Sequence, residues 1–242
     1  MTIQRRFRPN IWLAILTFIL VALFARLGIW QLDRAEEKQG ILAAYEQKIS
    51  LPMIELNTTN LEAMESYQHV SVHGRADGER QILLDNKIHK GKAGFQVLLP
   101  VKITGSEKWM LVNRGWVPLG MSRSDLPDIS IDKSIQDFTG VIKLPLGDEF
   151  KIGDGNVWTG DWPQMIQWLD VKEAAIHLDY DLVPYILLQS EEDKGGYVRD
   201  WKMIASSPEK SISYAVQWFS FAIILCGLFL FLNYKRIPPG EM

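Results

Sequence analysis

Cysteine is almost absent: Cys226 is the single one in 242 residues. That excludes a disulfide framework, and it removes the paired thiols that a copper carrier or a thiol oxidoreductase needs. Histidine is scarce as well, with four. His69 and His73 stand in the alternating stretch HVSVH, which reads as a strand. Four strand residues span about 13 Å, too far for one ion held by bonds of about 2 Å. His89 and His177 have no ligand types beside them in sequence. No nucleotide loop of the G-x-x-x-x-G-K-[ST] or G-x-G-x-x-G kind occurs, and no G-x-S-x-G elbow. The glycine-rich IGDGNVWTGDW, residues 152–162, reads as a plain loop whose two aspartates would repel phosphate. Neither a zinc cluster nor a pair of catalytic carboxylates is recognisable, so the chain reads as a non-enzyme without a metal site. Net positive charge is also lacking, at 26 Lys+Arg against 29 Asp+Glu. Arg5, Arg6, Arg8, Arg26, Lys235 and Arg236 flank the apolar runs, so the stretch between those runs is acidic and no nucleic-acid partner is expected.

What the chain does have is two long apolar runs. Ile11 to Ala25 contains one polar residue, Thr17; Arg26 interrupts it, and LGIW carries it on to Trp30. Arg26 can snorkel to an interface, with Trp12 and Trp30 as belt residues. No small-residue cleavage site follows Ala25, which favours a retained span over a signal peptide. From Ser211 to Tyr234 no residue is charged, and Lys210 and Lys235 bracket the run. As helix those residues reach about 36 Å, enough for a hydrocarbon core of about 30 Å. Basic residues at both ends predict cytoplasmic termini. The expected organisation is a cytoplasmic N-terminus at 1–10, spans at 11–30 and 211–234, an outer (periplasmic) domain at 31–210 and a cytoplasmic tail at 235–242.

GIWQLDRAEEKQGILAAYEQK continues the first span as helix, and LPMIELN ends it. Seven short runs rich in Val, Ile, Leu and aromatics follow: YQHVSVHG, RQILLDN, GFQVLLPVKI, KWMLVNRGWVPL, DFTGVIKLPL, PYILLQS and GYVRDWKMI. They predict an α+β membrane protein whose outer domain is a mainly antiparallel sheet or open barrel with a few helices. DVKEAAIHL is the helix among them, with Asp170 as N-cap and Glu173 in capping-box spacing. In LVNRGWVP, strict alternation places Arg114 and Trp116 on one face. Two readings stand for Arg114: a grip on a carboxylate or planar ligand, or an internal salt bridge to Asp85 or Asp200. In the second span Ser211, Tyr214 and Trp218 fall on one helical stripe, extended by Gln217. Polar groups at such a place face protein, water or ligand, or anchor at the interface.

Five stretches in order, LGIWQLDRAEEK (27–38), LLDNKIHKGKAGFQVLLPV (83–101), VNRGWVP (112–118), GGYVRDW (195–201) and PEKSISYAVQWF (208–219), resemble the surfeit locus protein 1 family, and the short N-terminus is of bacterial type. The resemblance implies an assembly factor of haem-copper cytochrome c oxidase in a bacterial inner membrane. It would work by binding rather than catalysis, with oxidase subunit I, other assembly factors and membrane lipid as partners. It implies haem a as the cofactor. The family's usual Pro-Glu-Lys-His, whose histidine is the proposed axial ligand, reads Pro-Glu-Lys-Ser here, with Ser211 in that place. A hydroxyl is a poor ligand for haem iron. Tyr214, Gln217 and Trp218 keep the family pattern, as do Trp30, Gln31 and Arg34; the candidate site residues are Ser211, Tyr214, Gln217, Trp218, Trp30, Arg34, Arg114 and Trp116. The alternative is a membrane-anchored periplasmic enzyme or ligand-binding domain unrelated to the oxidase.

Overall fold

A computed structural model describes residues 5–7, 9–56, 61, 63–121, 125–132, 137–144, 156–201 and 206–236. In chain order the elements are β1 (Arg5–Phe7), α1 (Ile11–Ile49), β2 (Ile54–Glu55), β3 (His69–Ala76), β4 (Ile82–His89), β5 (Lys92–Ile103), β6 (Trp109–Pro118), β7 (Asp137–Lys143), β8 (Gln164–Ile166), α2 (Val171–Leu178), β9 (Leu182–Gln189), α3 (Pro208–Asn233) and β10 (Tyr234–Arg236). Contacts divide them into two units. One holds residues 1–43 and 203–242; the other holds residues 44–202.

The first unit is an antiparallel helix pair. α1 has 39 residues and α3 has 26, both long and apolar enough to cross a membrane. Asn10 caps α1, its Oδ1 accepting from the amides of Trp12 and Leu13. On α1 the buried and half-buried positions recur at Thr17, Val21, Phe24, Gly28, Gln31, Ala35 and Lys38. On α3 they recur at Pro208, Ser211, Ala215, Trp218, Ala222, Leu225 and Phe229. Steps alternating between three and four residues are the seam of a coiled pair. Between apolar helices a membrane offers no hydrophobic drive, so packing of small residues against large ones carries the association. Here Gly28 leaves the room that the Phe219 ring fills, and a Cβ at Gly28 would lie 2.7 Å from that ring. Phe24 stacks on Trp218 and tilts against Phe221. Each end of the pair is tied. The Asn10 amide donates to Asn233 Oδ1, and β1 pairs with β10 beside it. At the other end Lys38 Nζ donates to Ser206 and Ser211.

The second unit is a barrel with an extension. β3, β7, β9, β6 and β5 follow one another round, and β5 returns to β3 through Gly74–Ala76 against Val101–Ile103. The expected sheet or barrel is therefore a closed five-stranded barrel, mainly antiparallel, with β6–β9 parallel. β4 pairs with the first half of β5, joined by a two-residue turn at Lys90 and Gly91, both of positive φ. β8 lies beyond β4, and β2 beside β3. Val72, Leu99, Val101, Met110, Val112, Phe138, Ile142, Tyr185 and Leu187 fill the barrel. A second cluster, Leu83, Phe95, Val97, Val117 and Ile129, packs under the extension. The six runs from YQHVSVHG to PYILLQS are strands, whereas GYVRDWKMI is not. Within its described residues it is irregular backbone with one bridge, Val198 to Trp116, and residues 202–204 lie outside the description. LPMIELN does end α1, and it also supplies β2. Asp170 caps α2, accepting from the amides of Lys172 and Glu173, but Glu173 accepts from Asn156 Nδ2. Of the loop 152–162, only 156–162 is described, and it holds no strand or helix.

Gly140 sits where β7 passes β9. A Cβ there would fall inside the van der Waals shell of the Leu188 carbonyl oxygen, a backbone atom that cannot step aside. Gly140→Ala should lower barrel stability by about 1–3 kcal/mol or more, read as a lower thermal midpoint of the full chain in detergent. Gly91→Ala strains only an open turn with nothing within 4 Å, and it should cost less.

Candidate functional site

The candidate residues divide between the two units. Trp30, Arg34, Ser211, Tyr214, Gln217 and Trp218 belong to the helix pair; Arg114 and Trp116 belong to the barrel unit.

In the helix pair, the expected stripe of Ser211, Tyr214 and Trp218 splits. Ser211 is buried in the seam, beside Ala215. Trp218 is half-buried against Phe24. Tyr214 and Gln217 are exposed. In an antiparallel pair the positions that flank the seam meet like with like across the two helices. The contacts fix the two flanks: Phe219 lies at Gly28 on one, Phe221 at Phe24 on the other. Tyr214 precedes Phe221 by two turns on the Phe24 flank, and Gln217 lies beside it. Leu27 and Arg34 occupy the matching positions of α1, with Trp30 between them. Trp30 is exposed, and Arg34 pairs with Glu37 at 2.6 Å. The surface so formed carries an indole, a phenol, an amide and a paired guanidinium at the polar end of two apolar helices. The Tyr214 hydroxyl makes no hydrogen bond among the described residues.

The residue that sequence reasoning missed here is Lys38. Its ammonium lies 2.8 Å from Ser211 Oγ and 2.9 Å from Ser206 Oγ. The signal was available, because Lys38 closes the series of threes and fours that begins at Thr17.

In the barrel unit, Arg114 is not a free grip, and among the described residues it is not half of a salt bridge. A bulge explains the departure. Gln96 pairs with Trp116 and Leu98 with Asn113, so β6 has one residue more than β5. Gly115, at φ 111, takes up the excess. The extra residue resets the alternation, so Arg114 and Trp116 acquire different neighbours. Arg114 is almost wholly buried, at 2 % exposure. Its Nε donates to the Gly195 carbonyl; one terminal nitrogen donates to Gln81 Oε1 and the Ile129 carbonyl; the other donates to the Ser130 and Gly195 carbonyls. Those bonds use all five N–H donors of a guanidinium. The Tyr197 ring lies 4.8 Å from its carbon. Desolvation holds the Arg114 pKa below its ordinary value, and burial raises that of Tyr197. Trp116 donates its indole N–H to the Lys87 carbonyl and packs on His89, whose Nδ1 is 3.9 Å from Asp200. The motifs at 83–101, 112–118 and 195–201 thus form one structural node. The Arg114 guanidinium and the Trp116 indole are satisfied within the barrel unit, whereas the buried Arg199 Nε has no partner among the described residues.

A groove of about 740 Å³ also opens on the barrel, lined by Arg75, Asp77, Glu79, Lys102, Trp109 and Tyr180 among others. Trp109 and Tyr180 stack in it at 3.7 Å, and Tyr180 donates to Asp77. None of the sequence-derived candidates lines it. His69 and His73 lie on β3, and His73 Nδ1 is 2.7 Å from Asp137 Oδ1. Among the described residues no cluster could hold a metal ion.

Arg114→Ala should orphan buried carbonyls and cost about 1–3 kcal/mol for each one left without a donor. Arg114→Lys should rescue little, since an ammonium offers three donors where five are used. Thermal melts of the full chain decide this. A pH effect is expected from Tyr180 and Tyr185, whose hydroxyls are pushed up to about 12 by burial, with Asp77 adding to the effect at Tyr180. An unfolded tyrosine titrates near about 10. A raised folded pKa contributes stability that is complete below the unfolded value and lost as pH climbs through the folded one. Stability measured from pH 9 upward should therefore fall between about 10 and about 12, and less steeply in the double variant Tyr180→Phe, Tyr185→Phe.

The comparisons fit this architecture. The model of the SURF1 family matches residues 18–223, which takes in most of both apolar helices and the whole barrel. A SURF1-like protein of Rickettsia bellii is 26 % identical over 234 residues, covering 92 % of this chain and 89 % of the relative. One of Monosiga brevicollis is 24 % identical, covering 88 % and 87 %. The surfeit locus protein 1 of Arabidopsis thaliana is 33 % identical over 129 residues, 48 % of this chain and 36 % of the relative. With a family match over most of its length, the chain belongs to the SURF1 family.

Proposed function

We propose that this protein is a membrane-anchored assembly factor for a haem-copper cytochrome c oxidase, acting on subunit I by binding. Family membership supports the class of activity. What supports the reading is that Trp30, Arg34, Tyr214 and Gln217 are all exposed and, by the register of the seam, fall on one flank toward the polar end of two apolar helices. A large subunit embedded in the same membrane would find there both aromatic anchors and hydrogen-bonding groups. The basic residues near both termini support cytoplasmic ends, with the barrel on the opposite, periplasmic side of a bacterial inner membrane.

Haem a is the cofactor that the family resemblance brings with it, and the residue in the ligand's place does not fit it. Ser211 offers a hydroxyl, and it is buried in the seam with Lys38 bonded to it. An iron at that point would meet an ammonium. The reading therefore rests on protein contact and assigns no axial bond to this helix.

In cells lacking the chromosomal copy, the variants Arg34→Ala and Tyr214→Ala should accumulate to normal levels. Each should lower assembled oxidase activity and the recovery of subunit I on the purified protein. Full oxidase activity in cells without the protein would overturn the reading. The outcome to expect from the alternative, a membrane-anchored enzyme, is normal oxidase with loss of some other activity.

A further inference from the structure

We infer that Lys38, Ser206 and Ser211 form a binding site for a phosphate oxyanion at the polar end of the helix pair. The inference is independent of any role in oxidase assembly. It starts from a donor count. An ammonium has three N–H donors, and a hydroxyl that accepts a bond still has its own proton to give. Lys38 spends two donors on Ser211 Oγ at 2.8 Å and Ser206 Oγ at 2.9 Å. Among the described residues neither hydroxyl donates to any acceptor, and Lys38 has no carboxylate partner. Ser213 shows the usual outlet for a helix serine, donating to the Glu209 carbonyl one turn back. Ser211, although buried, does not do this. Arg34, one turn before Lys38, has its charge matched by Glu37.

The cluster therefore presents one N–H and two O–H donors on three adjoining groups, with a net positive charge and, among the described residues, no carboxylate bonded to it. A tetrahedral oxyanion meets all three requirements at once, and charge-assisted bonds make it a better occupant than neutral water. Its place in the fold suggests the source. Ser211 opens the uncharged run to Tyr234, and Lys38 lies two turns past Trp30. In a bilayer that is the level of the headgroups, where phosphate is abundant and attracts lysine. The shared chemistry is phosphate; a lipid headgroup and free phosphate are the two sources to separate.

The test uses the full chain in a neutral detergent, with phosphatidylglycerol as probe and native mass spectrometry as readout. The wild type should retain one lipid. Lys38→Met should weaken retention at least about tenfold, and Lys38→Arg should stay within about threefold of wild type. Ser206→Ala, which leaves the charge in place, should weaken it severalfold and serves if Lys38→Met does not fold. If millimolar inorganic phosphate displaces the lipid, the site takes free phosphate too; if it does not, the lipid is the source. Retention in Lys38→Met and Ser206→Ala equal to that of the wild type, or equal retention of an uncharged diacylglycerol, overturns the inference.

Discussion

The barrel unit depends on one buried cation. Among the described residues Arg114 has no carboxylate to neutralise it, so its burial is tolerable only because four oxygens of the chain itself accept its five N–H donors, the Gly195 carbonyl taking two. Those oxygens come from Gln81 ahead of β4, from residues 129 and 130 in the stretch between β6 and β7, and from Gly195 after β9. Three segments distant in sequence are fixed to the middle of β6 by a single side chain. The bulge at Gly115 allows this, because it turns Arg114 toward those segments and opens a slot for residues 197–199. Charge, strand irregularity and loop course are one arrangement here.

Much of this architecture was legible in the sequence, for reasons that differ from part to part. The two long apolar helices were plain because one run has 24 uncharged residues and the other only Arg26 among twenty, and such runs have few other uses. Six strands were plain because alternation and β-branched content agreed. GYVRDWKMI misled because its composition is that of a strand, while its described part, 196–201, is shaped by Arg114 and the bulge rather than by a ladder partner. Arg114 and Trp116 were assigned one face by a period of two, and a single inserted residue undid it. The pairing of Arg114 with Asp85 or Asp200 failed for a simple reason. Carboxylates are the partners that sequence shows, whereas backbone carbonyls carry no letter.

The helix pair teaches a different lesson. The stripe of Ser211, Tyr214 and Trp218 is real on one helix, but which part of it faces inward is decided by the other. Gly28, Ala35, Ala215 and Ala222 draw the seam to Ser211, and this turns Tyr214 and Gln217 outward. A face that looks like a binding surface on one helix becomes part interface and part exposed flank. The seam also explains why Lys38 is found at Ser211, where the resemblance leads one to think of an iron ligand.

The sheet finishes at each end in its shortest strands, β2 with two residues and β8 with three. For a barrel tethered to a membrane this has a bearing on crowding. Copies held on one surface meet edge to edge far more often than copies free in solution, and an open strand edge is a template for polymerisation. Ends of two and three residues give a neighbouring copy little backbone to pair with, so these two strands are poor templates for edge-to-edge growth when many copies share one surface.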